Sequence, residues 1–243
     1  MNFTFSIKKI LFIVLLMPIF SYSQINMRVE YNIFVMKDSN QLENKAARIK
    51  AQQIERAIEA LNFKLNIKNN ASLFKLDEKL LRDNDWNYSM AKSFVSGKYQ
   101  YYTDLEQKLM IGDIFGEESA ILQDKEKYSN WNITKETKTI LDFKCFKATT
   151  TYEEIGNRGE PKQIYIEAWF TPDIPINAGP LDIDGLPGLI LEGYRNPRYV
   201  FKASNINFDT EEEIVKPKFK MMLSNQEYME KLSEVIKEIR SRG

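Results

Sequence analysis

Between Trp169 and Glu192 the chain reads WFTPDIPINAGPLDIDGLPGLILE, a stretch that holds four of the eight prolines (Pro172, Pro175, Pro180, Pro187) and three of the ten glycines (Gly179, Gly185, Gly188). A residue of fixed φ every few positions cannot continue a helix. Because the stretch runs into the apolar Leu189-Ile190-Leu191, it reads as a stiff connection of defined shape that delivers a strand into a sheet.

The N-terminus has a different character. Lys8-Lys9 precede the apolar run Ile10 to Met17, then come Pro18 and the small-residue site Ser21-Tyr22-Ser23. This is the layout of a secretory signal peptide over residues 1–23, with residues 24–243 as one mature domain. A membrane-spanning helix needs about 20 apolar residues, more than this run supplies. Removing the leader takes away two lysines and no acids, which leaves 32 basic against 34 acidic side chains. Such a balance, without a basic block, predicts neither nucleic acid nor an anionic lipid surface as partner. The expected location is exported: periplasmic, associated with the outer membrane, or secreted.

Histidine is absent and Cys145 is the one cysteine. Ser-His-Asp and Cys-His catalysis therefore cannot be assembled, an internal disulfide is excluded, and a zinc site lacks its usual ligands. Alternation in Leu141-Asp142-Phe143-Lys144-Cys145 puts the thiol on the face of Leu141 and Phe143, a buried and unreactive position.

Hydrophobic periodicity outlines the rest. Asn26 to Met36 alternates as a half-buried strand, and Gln41 to Leu61 has helical spacing, with Ser39 as its N-cap. Phe63–Ile67 and Leu73–Leu76 flank Asn69-Asn70 as a hairpin, while Asp83 to Asn87 reads as a loop. Short strands follow at Lys98–Asp104, Lys108–Ile114 and Ser119–Gln123, then Trp131–Thr134 and Thr137–Ile140. Phe143–Tyr152 and Gln163–Phe170, joined across Gly156-Asn157-Arg158-Gly159, read as the central hairpin. Gly188–Gly193 and Tyr199–Phe208 form another strand pair, Glu211-Glu212-Glu213 a solvated face, and Asn225–Arg240 a terminal amphipathic helix. The fold class is α+β, mainly β: a curved antiparallel sheet or partial barrel with one helix after the first strand and a C-terminal helix.

Gly185-Leu186-Pro187-Gly188-Leu189-Ile190 resembles the hexapeptide of the GLPGLI family. Trp131, Lys138-Thr139-Ile140 and Lys144-Cys145 resemble the family's upstream block. Trp169, Pro172, Pro175, Gly179 and Pro180 resemble its middle block, so that family-like segments span about residues 131–208. Asp142 departs from the glycine common there, and Phe143 and Phe170 from the tyrosines. The resemblance implies an exported envelope protein of gram-negative bacteria and carries over no catalytic residue, metal ligand or cofactor.

Gly185 and Gly188 around Pro187 allow a tight turn, with Leu186, Leu189 and Leu191 facing a core. Asp182-Ile183-Asp184-Gly185, with Asp173 and Glu192 nearby, has the start of a calcium loop but lacks the acid twelve positions in, where Gly193 stands, and Pro187 interrupts it. These acids read as solvated flanks of a turn. The expected function is non-enzymatic: aromatics in alternating strands line a concave face for an apolar ligand, or the protein binds an envelope partner. The alternatives are an interaction module of an outer-membrane or secreted complex and, on acids such as Glu167 and Asp173, a carboxylate-dependent hydrolase.

Overall fold

The structure, a computed structural model, describes residues 26–36, 43–78, 85–155 and 160–241. Among these, twelve strands form one sheet. They are β1 (Asn26–Val35), β2 (Asn62–Lys68), β3 (Ala71–Leu76), β4 (Gln100–Thr103), β5 (Lys108–Ile114), β6 (Glu117–Leu122), β7 (Asn132–Ile140), β8 (Phe143–Ile155), β9 (Pro161–Thr171), β10 (Leu189–Tyr194), β11 (Tyr199–Asn207) and β12 (Met221–Leu223). The order across the sheet is β12-β6-β5-β4-β3-β2-β1-β11-β10-β9-β8-β7. Neighbours pair antiparallel except β12 and β6, which run parallel.

The fold is thus mainly β, on an open and mostly antiparallel sheet. Its middle is β2-β1-β11. The β8–β9 hairpin, which the sequence placed at the centre, lies toward the β7 edge; its length made it look central, but pairing order is set by which strands return beside β1. The segments around Ile133 and Thr137 are one strand with a register shift between them. The turns follow sequence chemistry: Asn69 has φ 53°, and Leu141-Asp142 have φ 48° and 66°, so Asp142 does enter the left-handed region. The Gly156–Gly159 turn and the expected leader lie outside the described residues.

Among the described residues three helices accompany the sheet: α1 (Lys45–Glu59), α2 (Trp86–Phe94) and α3 (Asn225–Ser241). The start of α1 is set by Asn44, whose side chain accepts from the Ala47 amide at 3.1 Å, and the expected cap Ser39 lies outside the described residues. Only the second half of α1 is seated: Ile58 is buried, while Ile49 is 46% exposed. The segment read as a loop is helical from Trp86. Asp85 caps it by accepting from the Asn87 amide at 2.8 Å, and Tyr88, Ala91 and Val95 give it a buried face.

β1 buries Met27, Val29, Tyr31, Ile33 and Val35 on one face, as its alternation requires. Against them pack Phe63, Phe74 and Phe201, with Phe63 and Phe74 stacked at 5.2 Å and Phe201 edge-on to both. The connection from Pro172 to Gly188 runs through this interior. Ile174, Ala178 and Leu181 join the main core, and Ile183 and Leu186 join a second core with Ile166, Ala168 and Phe170. β10 is therefore covered on both sides, which accounts for three consecutive apolar residues with no alternation.

β5 and β8 are third and eleventh in the sheet order. At about 4.8 Å per strand, a flat sheet would hold them roughly 38 Å apart. Instead, Lys108 at the start of β5 lies 4.9 Å from the Tyr128 ring centroid, and that ring meets Tyr152 of β8 edge-on at 5.5 Å. The sheet curls until its two arms meet over the proline-rich connection.

Candidate functional site

Where the arms meet, five charged side chains converge on the DIDG portion of the connection. Asp182 is buried. One of its oxygens, Oδ1, accepts from the Tyr128 hydroxyl and from Arg195 Nη1, each at 3.0 Å, and Oδ2 accepts from Lys127 Nζ at 3.0 Å. Asp184, two residues on, forms an ion pair with Lys108 at 2.8 Å. Its carbonyl accepts from Trp131 Nε1 at 2.9 Å, which pins the turn to the segment leading into β7. The acids of this turn were expected to be solvated; the structure buries Asp182 and half-buries Asp184, because Leu181 and Ile183 on either side of Asp182 belong to the cores and carry it inward.

Burial alone would push the Asp182 carboxyl up. The adjacent charges of Arg195, Lys127 and Lys108 outweigh it and hold the group well below the usual carboxylate range. Burial pulls Lys127 down, Asp182 restores only part, and the like charges of Arg195 and Lys108 add to the lowering. For Arg195 the Asp182 charge prevails over burial, and the guanidinium is held firmly ionised. Asp184 moves the other way: burial raises its carboxyl, and Lys108 offsets this incompletely. Burial also raises the hydroxyls of Tyr128 and Tyr152, and pushes that of Tyr101 up to about 12, so all three stay protonated, with those of Tyr128 and Tyr152 donating to Asp182 and Glu154.

Two members of the cluster, Lys127 and Arg195, line a cavity of about 530 Å³ that α3 also borders. Tyr99, Tyr101, Tyr152 and Tyr228 line it, the last from the helix, together with Lys127 and Arg195. Tyr152 links wall to mouth: its hydroxyl oxygen lies 3.3 Å from Arg195 Nε and 3.1 Å from Glu154 Oε2. Asp124, Glu126 and Glu153 stand at the exposed side.

The motif residues have mostly structural surroundings. Gly188 is buried against β9, where an added Cβ would lie 2.1 Å from the Thr171 carbonyl oxygen, and Gly179 packs on Ile190. Gly185 has φ 86° and lies against Tyr128 and Trp131. Pro180, Leu186, Leu189 and Ile190 are buried, whereas Pro172, Pro175 and Pro187 are exposed. Trp169 lies elsewhere, on β9, with Lys138 Nζ 4.0 Å from its ring centroid and its Nε1 donating to Glu167 at 3.2 Å. Glu167 pairs with Lys147 at 3.2 Å and Asp173 is exposed, so neither acid belongs to the cavity. No group of three metal-ligating side chains occurs among the described residues.

Sequence reasoning missed Lys108, Lys127, Tyr128, Tyr152 and Arg195, which are dispersed over 88 positions and share no motif. The one available signal was Asp182 itself, a charge flanked by Leu181 and Ile183.

These features define a mainly β protein built on an open, mostly antiparallel twelve-stranded sheet, with a buried ion cluster where the sheet closes on its own connection. Its sequence matches the family model described as "Protein of unknown function (Porph_ging)" over residues 154–192, a stretch that contains Trp169, the proline-rich connection and the hexapeptide. No curated protein matches it. Two solved structures of PNGF-II are similar in fold. The P21 crystal form has TM-score 0.53 and 12% identity and covers 87% of this chain; the C2 form has TM-score 0.51 and 12% identity and covers 86%. The chain spans about a third of the length of those structures, 34% and 33%.

Proposed function

We propose that this chain is an exported, non-enzymatic envelope protein of the GLPGLI type that binds a small polar ligand in the cavity beneath α3. The observation that carries the reading is the cavity: its volume of about 530 Å³ is that of small-molecule sites, and tyrosine hydroxyls and a guanidinium line it. An apolar ligand has less support, because the aromatics of the alternating strands pack on one another and on the proline-rich connection. The non-enzymatic reading is supported by the engagement of both acids of the cluster, neither of which lines the cavity: Asp182 through both oxygens with Tyr128, Arg195 and Lys127, and Asp184, whose carboxyl burial raises, with Lys108. The sequence-level leader supports export.

The test is native mass spectrometry on protein purified gently from its own envelope, together with thermal-shift screening against polar and apolar small molecules. A reproducible polar adduct, and stabilisation by polar compounds that is lost in Tyr228→Ala, are expected. A clean apo mass with no stabilisation by any polar compound overturns the reading.

A second reading, an interaction module, rests on β7. This nine-residue strand ends the sheet and is largely exposed, an open edge on which a partner's strand can pair. Its register shift and its Lys135, Glu136 and Lys138 work against promiscuous pairing. Crosslinking from Lys135 in intact envelopes should capture one partner; a pattern identical to that of a surface-lysine control rules it out.

A further inference from the structure

The cavity is polarised from floor to mouth. At the floor, Lys127 and Arg195 line the cavity and share Asp182, and behind that lining Lys108 pairs with Asp184, so three buried or half-buried cations stand against two anions on this side. The side chains of Lys127 and Arg195 are 15% and 21% exposed, and both line the cavity. At the mouth, Asp124 and Glu126 are exposed, and neither is within ion-pair distance of a described lysine or arginine. Glu154 lies between, tied to Arg195 through the Tyr152 hydroxyl. A neutral dipole gains little from such a gradient. A molecule with a negative and a positive end gains at both, and the low-dielectric walls strengthen the inner contact more than the outer one.

Resting on the reading of this cavity as a ligand site, we propose that its ligand is a zwitterion with a free carboxylate and a free ammonium group: an amino acid or a short unblocked peptide. The carboxylate lies toward Arg195 and Lys127, with the Tyr101 hydroxyl beside it as donor. The ammonium points outward to Asp124 and Glu126. The planar guanidinium suits a carboxylate, and the tyrosine rings line the walls between the two ends.

The experiment is isothermal titration of the mature protein with four probes: L-alanine, tri-alanine, N-acetyl-tri-alanine and tri-alanine amide. Either alanine or tri-alanine should bind, which distinguishes the two sources of the same chemistry. Removing the ammonium by acetylation and removing the carboxylate by amidation should each weaken tri-alanine at least tenfold. If L-alanine alone binds, N-acetylalanine and alanine amide take the places of the blocked peptides. The double variant Asp124→Asn, Glu126→Gln changes two exposed residues and should keep the wild-type melting temperature. It should lose the discrimination against the acetylated probe while keeping that against the amide. Equal binding of blocked and unblocked forms overturns the proposal, as does failure of all four probes and both blocked alanines when another polar compound from the screen binds. If no polar compound binds at all, it is the reading of the cavity itself that fails.

Discussion

The Tyr31 hydroxyl donates to the Ile190 carbonyl oxygen at 2.6 Å, and so joins the middle strand of the sheet to the strand that carries the hexapeptide. The acceptor is available because the pairing of β10 with β9 shifts register between Ile190 and Glu192, which turns that carbonyl out of the ladder. The bond is fully buried, and burial holds the phenol far above its ordinary pKa, so it remains a donor at every pH where the protein is folded. Tyr31→Phe keeps the ring contacts but leaves the carbonyl without its partner, and should destabilise by about 1–3 kcal/mol. Urea unfolding measures this; an unchanged midpoint would mean that the bond contributes nothing.

Glycine is required at position 188 by contact rather than by φ. A Cβ there would stand 2.1 Å from the Thr171 carbonyl oxygen and 2.7 Å from its carbon, both main-chain atoms of β9 that cannot rotate away. Gly188→Ala should therefore cost about 3 kcal/mol or more, beyond ordinary overpacking. Gly116 is the control. It has φ 86° with no atom within 4 Å of an added Cβ, so Gly116→Ala should cost only the left-handed penalty of about 1–2 kcal/mol. Thermal melts of the two variants side by side test the ordering.

Strand positions were legible in the sequence where one face is buried: the alternation of Asn26–Val35 and the double asparagine after Lys68 specify β1 and the β2–β3 turn by local chemistry alone. The helix from Trp86 was not read, because two and a half turns with Tyr88, Ala91 and Val95 inward give too short a period against the polar residues before it. Sheet order was beyond local reading as well. Nothing between Phe143 and Thr171 shows that this hairpin sits near an edge. The cavity depends on the same long-range closure: Lys108, Lys127 and Arg195 become a cluster only when the curl of the sheet brings β5 and the end of β10 onto one loop.

Cys145 links one such local inference to a simple measurement. It is fully buried, and burial pushes its thiol up to about 11, against partial relief from a main-chain hydrogen bond at Ile140 and the charge of Lys138. At pH 8 almost none is thiolate, and a disulfide-exchange reagent has no path to it. The native protein should release no thionitrobenzoate over an hour at pH 8 and one equivalent in 6 M guanidinium, a concentration typical of full unfolding. Rapid native labelling would show that the strand pair β7–β8 opens.

Asp182 should dominate the acid response of the fold. Its carboxyl is held below its ordinary value of 3.8 in the folded protein, so it adds stability that is fully present above that value and lost progressively as the pH falls below it toward the folded pKa. Asp184 acts with the opposite sign. Its carboxyl is raised, so its contribution declines as the pH rises from 3.8 through the folded value. Urea midpoints of the wild type should therefore fall steeply below pH 3.8, while the window just above is flattened by Asp184. Asp182→Asn removes the shared anion from Lys127 and Arg195, leaves two buried cations uncompensated, and should cost about 3–5 kcal/mol at pH 7. The variant should also lose much of the steep acid limb. If Asp182→Asn and the wild type lose stability in parallel between pH 5 and 2, other carboxylates carry the acid response, and the cluster is not the clamp that holds the curled sheet over its connection.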